Sequence, residues 1–165
     1  MDPINASVKI DRPRDEVFAY LVDIANHPEF TDHYLKDWRL TRIDSVGRGA
    51  GARFKVDAPF NRFGWADMTF VEVERPHRIV ALGRGGKYNR IKTTTIWTLD
   101  VAAGGGTDLE VFVESEPALP TDRLVDTLSG RRGWIKRKTR KALRRLQSIL
   151  EEDQDRGARV SVAGL

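Results

Sequence analysis

From Ile4 to Asp11 the chain alternates: Ile4, Ala6, Val8 and Ile10 fall on one side, Asn5, Ser7, Lys9 and Asp11 on the other. That is the period of a strand with one buried face. Arg12-Pro13 follows, and a proline fits the first turn of a helix, where its missing N–H costs nothing. Asp15 and Glu16 stand where the positive helix end favours acids. Val17, Phe18, Tyr20, Leu21 and Ile24 then recur at helical spacing over about three turns. Asn26-His27-Pro28 breaks this helix, because proline pushes the preceding residue out of the α region. Glu29 to Tyr34 is expected to add one further short turn.

From Asp37 the period changes to two, with strands expected at about 37–44, 51–57, 64–74, 77–83, 91–100 and 107–115. Gly47, Gly49 and Gly51 supply the first turn and Arg75-Pro76-His77 a tight one. Gly83, Gly85 and Gly86 open a longer loop, and Gly104-Gly105-Gly106 closes the last hairpin. Strands this closely spaced with no helix between them form an antiparallel meander. After Pro117 and Pro120 the pattern returns to helix, with Leu124, Val125 and Leu128 in a first stretch from Thr121 to Leu128. Gly130 and Gly133 loosen its junction with the last helix.

The last helix separates its faces completely. At 100° per residue, Ile135, Thr139, Ala142, Leu143, Leu146, Ile149 and Leu150 lie within an arc of about 120°. Lys136, Arg137, Lys138, Arg140, Lys141, Arg144 and Arg145 fill the rest of the wheel. A helix this basic repels itself in isolation, so its apolar stripe must dock on something large, and the sheet is the candidate. The polar, glycine-containing tail from Asp153 is expected to fray. The expected architecture is therefore α+β: a seven-stranded antiparallel sheet curled around a long C-terminal helix, with two short helices after the first strand. It forms a single domain over residues 1–152, followed by a flexible tail over 153–165. Such a sheet cannot fill its concave side completely with one helix, which leaves room for a cavity.

The 165 residues fit one domain, and 40% hydrophobic against 32% charged residues is ordinary for a soluble protein. The absence of cysteine excludes disulfides, thiol catalysis and thiolate metal sites. No apolar run approaches the ~20 residues of a membrane span. Met1 to Ser7 lacks the pattern of a secretion leader, so a cytoplasmic address is the default expectation. The net charge of +4 conceals an asymmetry, because Ser129 to Leu150 carries nine Lys or Arg and no acid, leaving the remainder net negative. The basic character thus belongs to one segment, unlike that of a globally basic nucleic-acid protein.

The ordered set of elements resembles the START-like superfamily, which includes birch-pollen-type allergens, polyketide cyclases/dehydrases and lipid-transfer domains. Ser7-Val8-Lys9-Ile10-Asp11-Arg12-Pro13 leading to Glu16-Val17-Phe18 is similar to that family's first strand and helix start. Asp23-Ile24-Ala25-Asn26-His27-Pro28-Glu29-Phe30 is similar to its helix–helix corner. Gly49-Ala50-Gly51-Ala52-Arg53-Phe54 resembles the turn into its third strand, and Ala142-Leu143-Arg144-Arg145-Leu146 its final helix. The similarity runs over about residues 3–152. It implies a helix-grip fold with a ligand cavity, and it implies no one activity, since members include cyclases, transfer proteins and ribosome-associated proteins.

The inward strand faces nominate the cavity walls: Phe54, Val56, Met68, Phe70, Ile79, Ala81, Thr93, Thr95, Trp97, Leu109, Val111 and Val113. From the helices come Leu124, Leu128, Ile135 and Thr139. Plain core packing is the competing account of each. Thr93 and Thr95, alternating with Trp97 on one face, are the best polar anchors. His27, His33 and His77 fit no metal pair and read as surface or corner histidines. The alternative places His27 or His33 at the cavity mouth, titrating near neutrality. Tyr34, Trp38 and Trp65 are rim or core aromatics, and Asn61-Arg62-Phe63-Gly64-Trp65 reads as an exposed turn able to gate the pocket.

Glu114 and Glu116 share a face and are better explained as solvated edge charges than as a catalytic pair. Gly83-Arg84-Gly85-Gly86-Lys87 lacks the ending of a phosphate loop and runs into a strand. No cofactor or metal is called for.

Three functions compete. The first is a carrier or binding protein for a small hydrophobic molecule of lipid, isoprenoid or polyketide-like type. The second is a cyclase/dehydratase-type enzyme using the same cavity. The third is a module docking on RNA or an anionic membrane through Lys136, Arg137, Arg140, Lys141 and Arg144, with Trp134 as an anchor.

Overall fold

The computed structural model describes residues 3–59, 63–118 and 130–160. Strand β1 (Ile4–Ile10) leads into α1 (Arg14–Leu21), a short 3₁₀ turn (Ile24–Asn26) and α2 (His27–Thr31). Six strands follow: β2 (Leu35–Leu40), β3 (Gly51–Val56), β4 (Trp65–Glu74), β5 (Arg78–Gly85), β6 (Ile91–Val101) and β7 (Thr107–Pro117). Helix α3 (Arg131–Glu152) ends the sequence of elements. The sheet has the order β1-β7-β6-β5-β4-β3-β2, and each neighbouring pair is antiparallel. A long helix packed on a seven-stranded sheet is the expected helix-grip arrangement.

Alternation in the strands becomes burial on one face. In β1, Ile4, Ala6 and Ile10 are buried while Asn5, Ser7 and Lys9 are exposed. In α3 the buried positions are Thr139, Ala142, Leu143, Leu146 and Ile149, all members of the apolar arc. Ala142, Leu143, Leu146 and Ile149 join Phe18, Leu21, Ile24, Phe70, Ile79, Leu99 and Leu109 in one continuous core. Each fully buried aliphatic side chain contributes about 1.5–3 kcal/mol, which the solvated basic face opposes only weakly.

Strand β2 departs most from the expected boundaries. It starts at Leu35 and ends at Leu40 instead of running to residue 44, and Ile43 is 80% exposed. Asp37 takes a left-handed conformation (φ 54°), and the register against β3 shifts between Lys36 and Arg39. This irregularity lets Trp38 pack on the core although the simple alternation is broken. Helix α1 is also shorter than the three turns its spacing predicts, because the chain turns at Val22 and Asp23 caps the 3₁₀ segment through Ala25 N–H.

Over residues 153–160 the tail makes contacts with the corner. Gly157 N–H donates to Glu29 O (2.8 Å) and Val160 N–H to Ala25 O (3.1 Å). Arg156 pairs with the buried Glu29 (2.6 Å) and Arg159 with Asp23 (2.6 Å). Glu29 also accepts from Tyr20 Oη, whose pKa is raised by burial and then by that carboxylate. The corner thus offers acids that the tail's arginines pair with and carbonyls that its backbone N–H groups reach, and composition alone does not reveal such partners. The helical stretch expected at Thr121 to Leu128 lies outside the described residues, as do Asn61 and Arg62 of the gating turn.

Candidate functional site: a cavity between sheet and helix

At one end of the sheet–helix interface the core opens into a cavity of about 170 Å³. The strands set its shape. Moving along β6 from Leu99 through Trp97, Thr95 and Thr93, inward side chains change from large and sealed to small and polar. The partners on β7 follow the same gradient, since Trp97 pairs with Val111, Thr95 with Val113 and Thr93 with Ser115. On β5 the residue opposite Thr93 is Gly83, and on β4 the cavity wall includes Ala66. A Cβ at Gly83 would stand 2.6 Å from Asp67 O, so the close approach of β4 requires glycine there. Small residues on β4 and β5 and short hydroxyls on β6 and β7 therefore leave the volume that α3 does not fill.

Of the walls nominated from sequence, Phe54, Val56, Met68, Thr93, Thr95, Trp97, Val111, Val113, Ile135 and Thr139 border the cavity. Phe70, Ala81, Ile79 and Leu109 do not. They face inward as expected but stand further toward the sealed end, where each is at most 1% exposed. The alternation identifies their face, and only the position along the strand distinguishes packed core from cavity wall. Leu124 and Leu128 lie outside the described residues.

The corner α2 supplies walls that the strand pattern does not predict: His27, Phe30, Thr31 and Tyr34, with Leu35 and Trp38 just after it. His27 is a corner residue as expected, but a buried one. It is 2% exposed, neither a surface residue nor a mouth residue titrating near neutrality. Its ring lies among those of Phe30 (5.3 Å), Trp97 (5.4 Å), Phe70 (5.6 Å) and Trp38 (6.4 Å). Burial lowers its pKa to about 4, only partly offset by its bond to the Leu21 carbonyl and by the charge of Asp23. One signal for this exists in the chain: Ile24, His27 and Thr31 are spaced by three and four, which places the imidazole on the inward face of the corner.

Tyr34 is held between Trp134 (ring centroids 6.1 Å) and His33 (4.8 Å), and burial pushes its phenol up to about 12 despite a bond to Thr139. The polar lining of the cavity thus combines neutral hydroxyls and a neutral imidazole with the charged Asp67, Arg84 and Arg131. Thr93 Oγ1 and Ser115 Oγ lie 3.5 Å apart, at the limit of a hydrogen bond. A smaller hollow of about 60 Å³ shares Val56, Thr93 and Ile135 with the cavity and reaches Phe63 and Trp65. Trp65 lies under Arg53 (5.4 Å) and is a rim aromatic, whereas Trp38 packs on Phe54 (4.5 Å) in the wall itself.

His33 makes its contacts outside this cavity, with Nε2 3.2 Å from Lys138 O. His77 Nδ1 meets Arg14 at 3.0 Å, in the turn between β4 and β5. Among the described residues no group of three or more His, Cys, Asp or Glu could hold a metal ion. Arg137, Arg140, Lys141 and Arg144 of α3 are exposed and Lys136 is half-exposed. Arg145 is different. Its side chain is 16% exposed and binds Asp32, with further bonds to Glu29 O (3.1 Å) and Asp155 O (2.9 Å), so it belongs to the corner and not to the solvated face. Among the described residues no helix is long and apolar enough to cross a membrane.

A sequence model for the family described as polyketide cyclase/dehydrase and lipid transport matches residues 1–151. The chain belongs to this family. Solved structures agree on the family's helix-grip fold. KanY, solved by NMR, has a TM-score of 0.72 at 15% identity, covering 90% of this chain and 97% of its own. TTHA0849 from Thermus thermophilus gives 0.68 at 13%, covering 92% and 99%. Truncated norcoclaurine synthase from Thalictrum flavum gives 0.67 at 12%, covering 92% and 94%. At these identities the likeness concerns the fold alone. A search of curated proteins returns no match. For a member of the polyketide cyclase/dehydrase and lipid transport family, a cavity under the C-terminal helix is the feature that suggests hydrophobic ligand binding.

Proposed function

We propose that the chain binds one compact, largely apolar molecule between sheet and α3, as a carrier or binding protein. The observation that carries this reading is the cavity itself, walled by Phe30, Trp38, Phe54, Met68, Trp97 and Val111, with the hydroxyls of Thr93, Thr95 and Ser115 on its sheet side. Apolar walls with a few convergent polar groups are the usual form of a ligand site. Its size narrows the ligand. An apolar cavity of about 150 Å³ stays dry and accepts benzene, so about 170 Å³ suits one ring or a compact fused pair better than an extended acyl chain. Native mass spectrometry of gently purified protein, followed by organic extraction, tests the reading. A discrete adduct released on denaturation is expected. A clean apo mass, with no uptake from a panel of small aromatic, isoprenoid and polyketide-like molecules, would overturn it.

Cyclase/dehydratase chemistry in the same cavity is the second reading, favoured by the family's description. The cavity's His27 and Tyr34 are both neutral at pH 7, one with its pKa lowered to about 4 and the other raised to about 12. Neither is tuned near the working pH as an efficient general acid or base is, which ranks the carrier first. Turnover abolished by Thr93→Val or Thr95→Val with ligand uptake retained would reverse that ranking. A third reading rests on the exposed Arg137, Arg140, Lys141 and Arg144, none of which has an ion-pair partner among the described residues. They are proposed to meet a polyanionic surface. Cosedimentation with anionic vesicles or with ribosomes that falls steeply with salt would support it.

A further inference from the structure

The imidazole of His27 has two nitrogens, and the corner uses one. Nε2 lies 2.8 Å from Leu21 O. A carbonyl only accepts, so Nε2 carries the proton and Nδ1 of the neutral ring keeps a lone pair. Nδ1 meets no hydrogen-bond partner among the described residues. It is also not sealed in, since no enclosed side-chain nitrogen or oxygen among them lacks a partner. The two ring nitrogens point away from each other, and the open volume beside this ring is the cavity. A residue 2% exposed therefore presents an unused acceptor to that volume, in a cage of four aromatic rings.

We infer that His27 Nδ1 is the ligand-orienting acceptor of the cavity, and that the ligand class is a compact aromatic or alicyclic molecule bearing a hydroxyl donor. The inference rests on the carrier reading above and adds which group recognises the ligand. Fixing Nε2–H on the Leu21 carbonyl sets the tautomer and the ring orientation, so the acceptor is preorganised before the ligand arrives. Its surroundings favour a hydroxyl over a cation or carboxylate. At Nδ1 an anion would meet a lone pair and no donor, and a free ammonium would be stripped of water among the four rings, since Asp67, Arg84 and Arg131 line the cavity but are not among the rings around this nitrogen. The ring's low proton affinity, with the pKa at about 4, makes it an acceptor and not a base toward a phenol of pKa ~10. The ligand is held with its hydroxyl proton in place.

The test uses 2-naphthol, 2-methoxynaphthalene and naphthalene as probes of one shape. Affinities are read by titrating the full chain, and Nδ1 is read from the ¹⁵N imidazole resonance of His27. Roughly 3- to 10-fold tighter binding of 2-naphthol than of the other two is expected, the range of one net neutral hydrogen bond. The Nδ1 resonance should move in the direction of a hydrogen-bonded nitrogen with 2-naphthol alone. His27→Phe should bind naphthalene as before and lose the preference for the naphthol. If that variant does not fold, the resonance in the unsubstituted chain decides. Equal binding of all three probes, or a preference for 2-naphthol with an unmoved Nδ1, overturns the inference and leaves the carrier reading standing. Failure of all three to bind overturns both readings for this class of ligand, and the mass spectrometric panel then tells whether the cavity takes any other.

Discussion

The same sheet and the same helix meet differently at their two ends. At one end Leu99, Leu109, Ile79 and Phe70 belong with Leu146 and Ile149 to one core, all at most 2% exposed. At the other, Thr93, Ser115, Gly83 and Ala66 face Ile135 across open volume. Both ends lie on the same strands, obey the same alternation and belong to the same amphipathic helix. What differs is side-chain size per step along each strand. The cavity is therefore written into β4 to β7 as a gradient, and the remainder of the interface is a conventional close-packed core.

The largest test of this contrast is truncation at both ends. Phe70→Ala is expected to cost about 3–5 kcal/mol and Leu146→Ala about 2–5 kcal/mol in urea unfolding, since each leaves a hole in a sealed region. Ile135→Ala, on the same helix as Leu146, should cost about 1 kcal/mol or less because its side chain already borders empty space. Equal losses at the two ends would erase the distinction.

Next in size is the pH dependence of His27, which sits between the two ends. Desolvation lowers its folded pKa to about 4, against an ordinary value near 6.5. Below about pH 6.5 the unfolded chain takes up a proton that the folded one refuses, so stability is complete above that pH and falls as the pH drops toward 4. The loss over the window is on the order of 3 kcal/mol. Unfolding curves of the chain and of His27→Phe should diverge in slope between pH 6.5 and 4. Parallel curves would place the imidazole in contact with water.

Filling the space sharpens the comparison further. Ala52→Leu, in fully sealed surroundings, should destabilise by about 1–3 kcal/mol through overpacking. Ala66→Leu points into the cavity and should change stability by less than about 1 kcal/mol while abolishing uptake of 2-naphthol. The smallest effect is expected at Thr93→Val. Among the described residues its hydroxyl has only a long contact with Ser115, so stability should move by about 0.5 kcal/mol or less, with any consequence confined to ligand choice.

Much of this is legible in the chain, and for a reason: a strand's period and a helix's wheel are local properties. The faces of β1, β6 and β7 and the stripe of α3 follow directly from them. What is not legible depends on partners distant in sequence. His27 reads as a corner residue until Trp38, Phe70 and Trp97 close around it from three different strands, beside Phe30 of its own helix. Arg145 counts as one more surface cation, although its place about 40° beyond Ile149 puts it at the border of the apolar arc. There Asp32 and two carbonyls of the corner and tail claim it. The tail's contacts with Glu29 and Asp23 are of the same kind. Periodicity puts Phe70 and Ala81 on the correct face and at the wrong depth, because alternation carries no information about where along a strand the filling stops.

The pairing of β1 with β7 has a consequence for how the chain reaches this state. Ile4 lies opposite Val113, and Arg12 Nε donates to Leu150 O at 2.7 Å. The first strand thus finds its neighbours only after nearly all the rest has been synthesised, and it must wait unpaired in the meantime. Loop closure over such separations is entropically slow, so the sheet is expected to complete late and in a single concerted step. During translation the exposed apolar edge of β1 would be the segment most in need of a chaperone's protection.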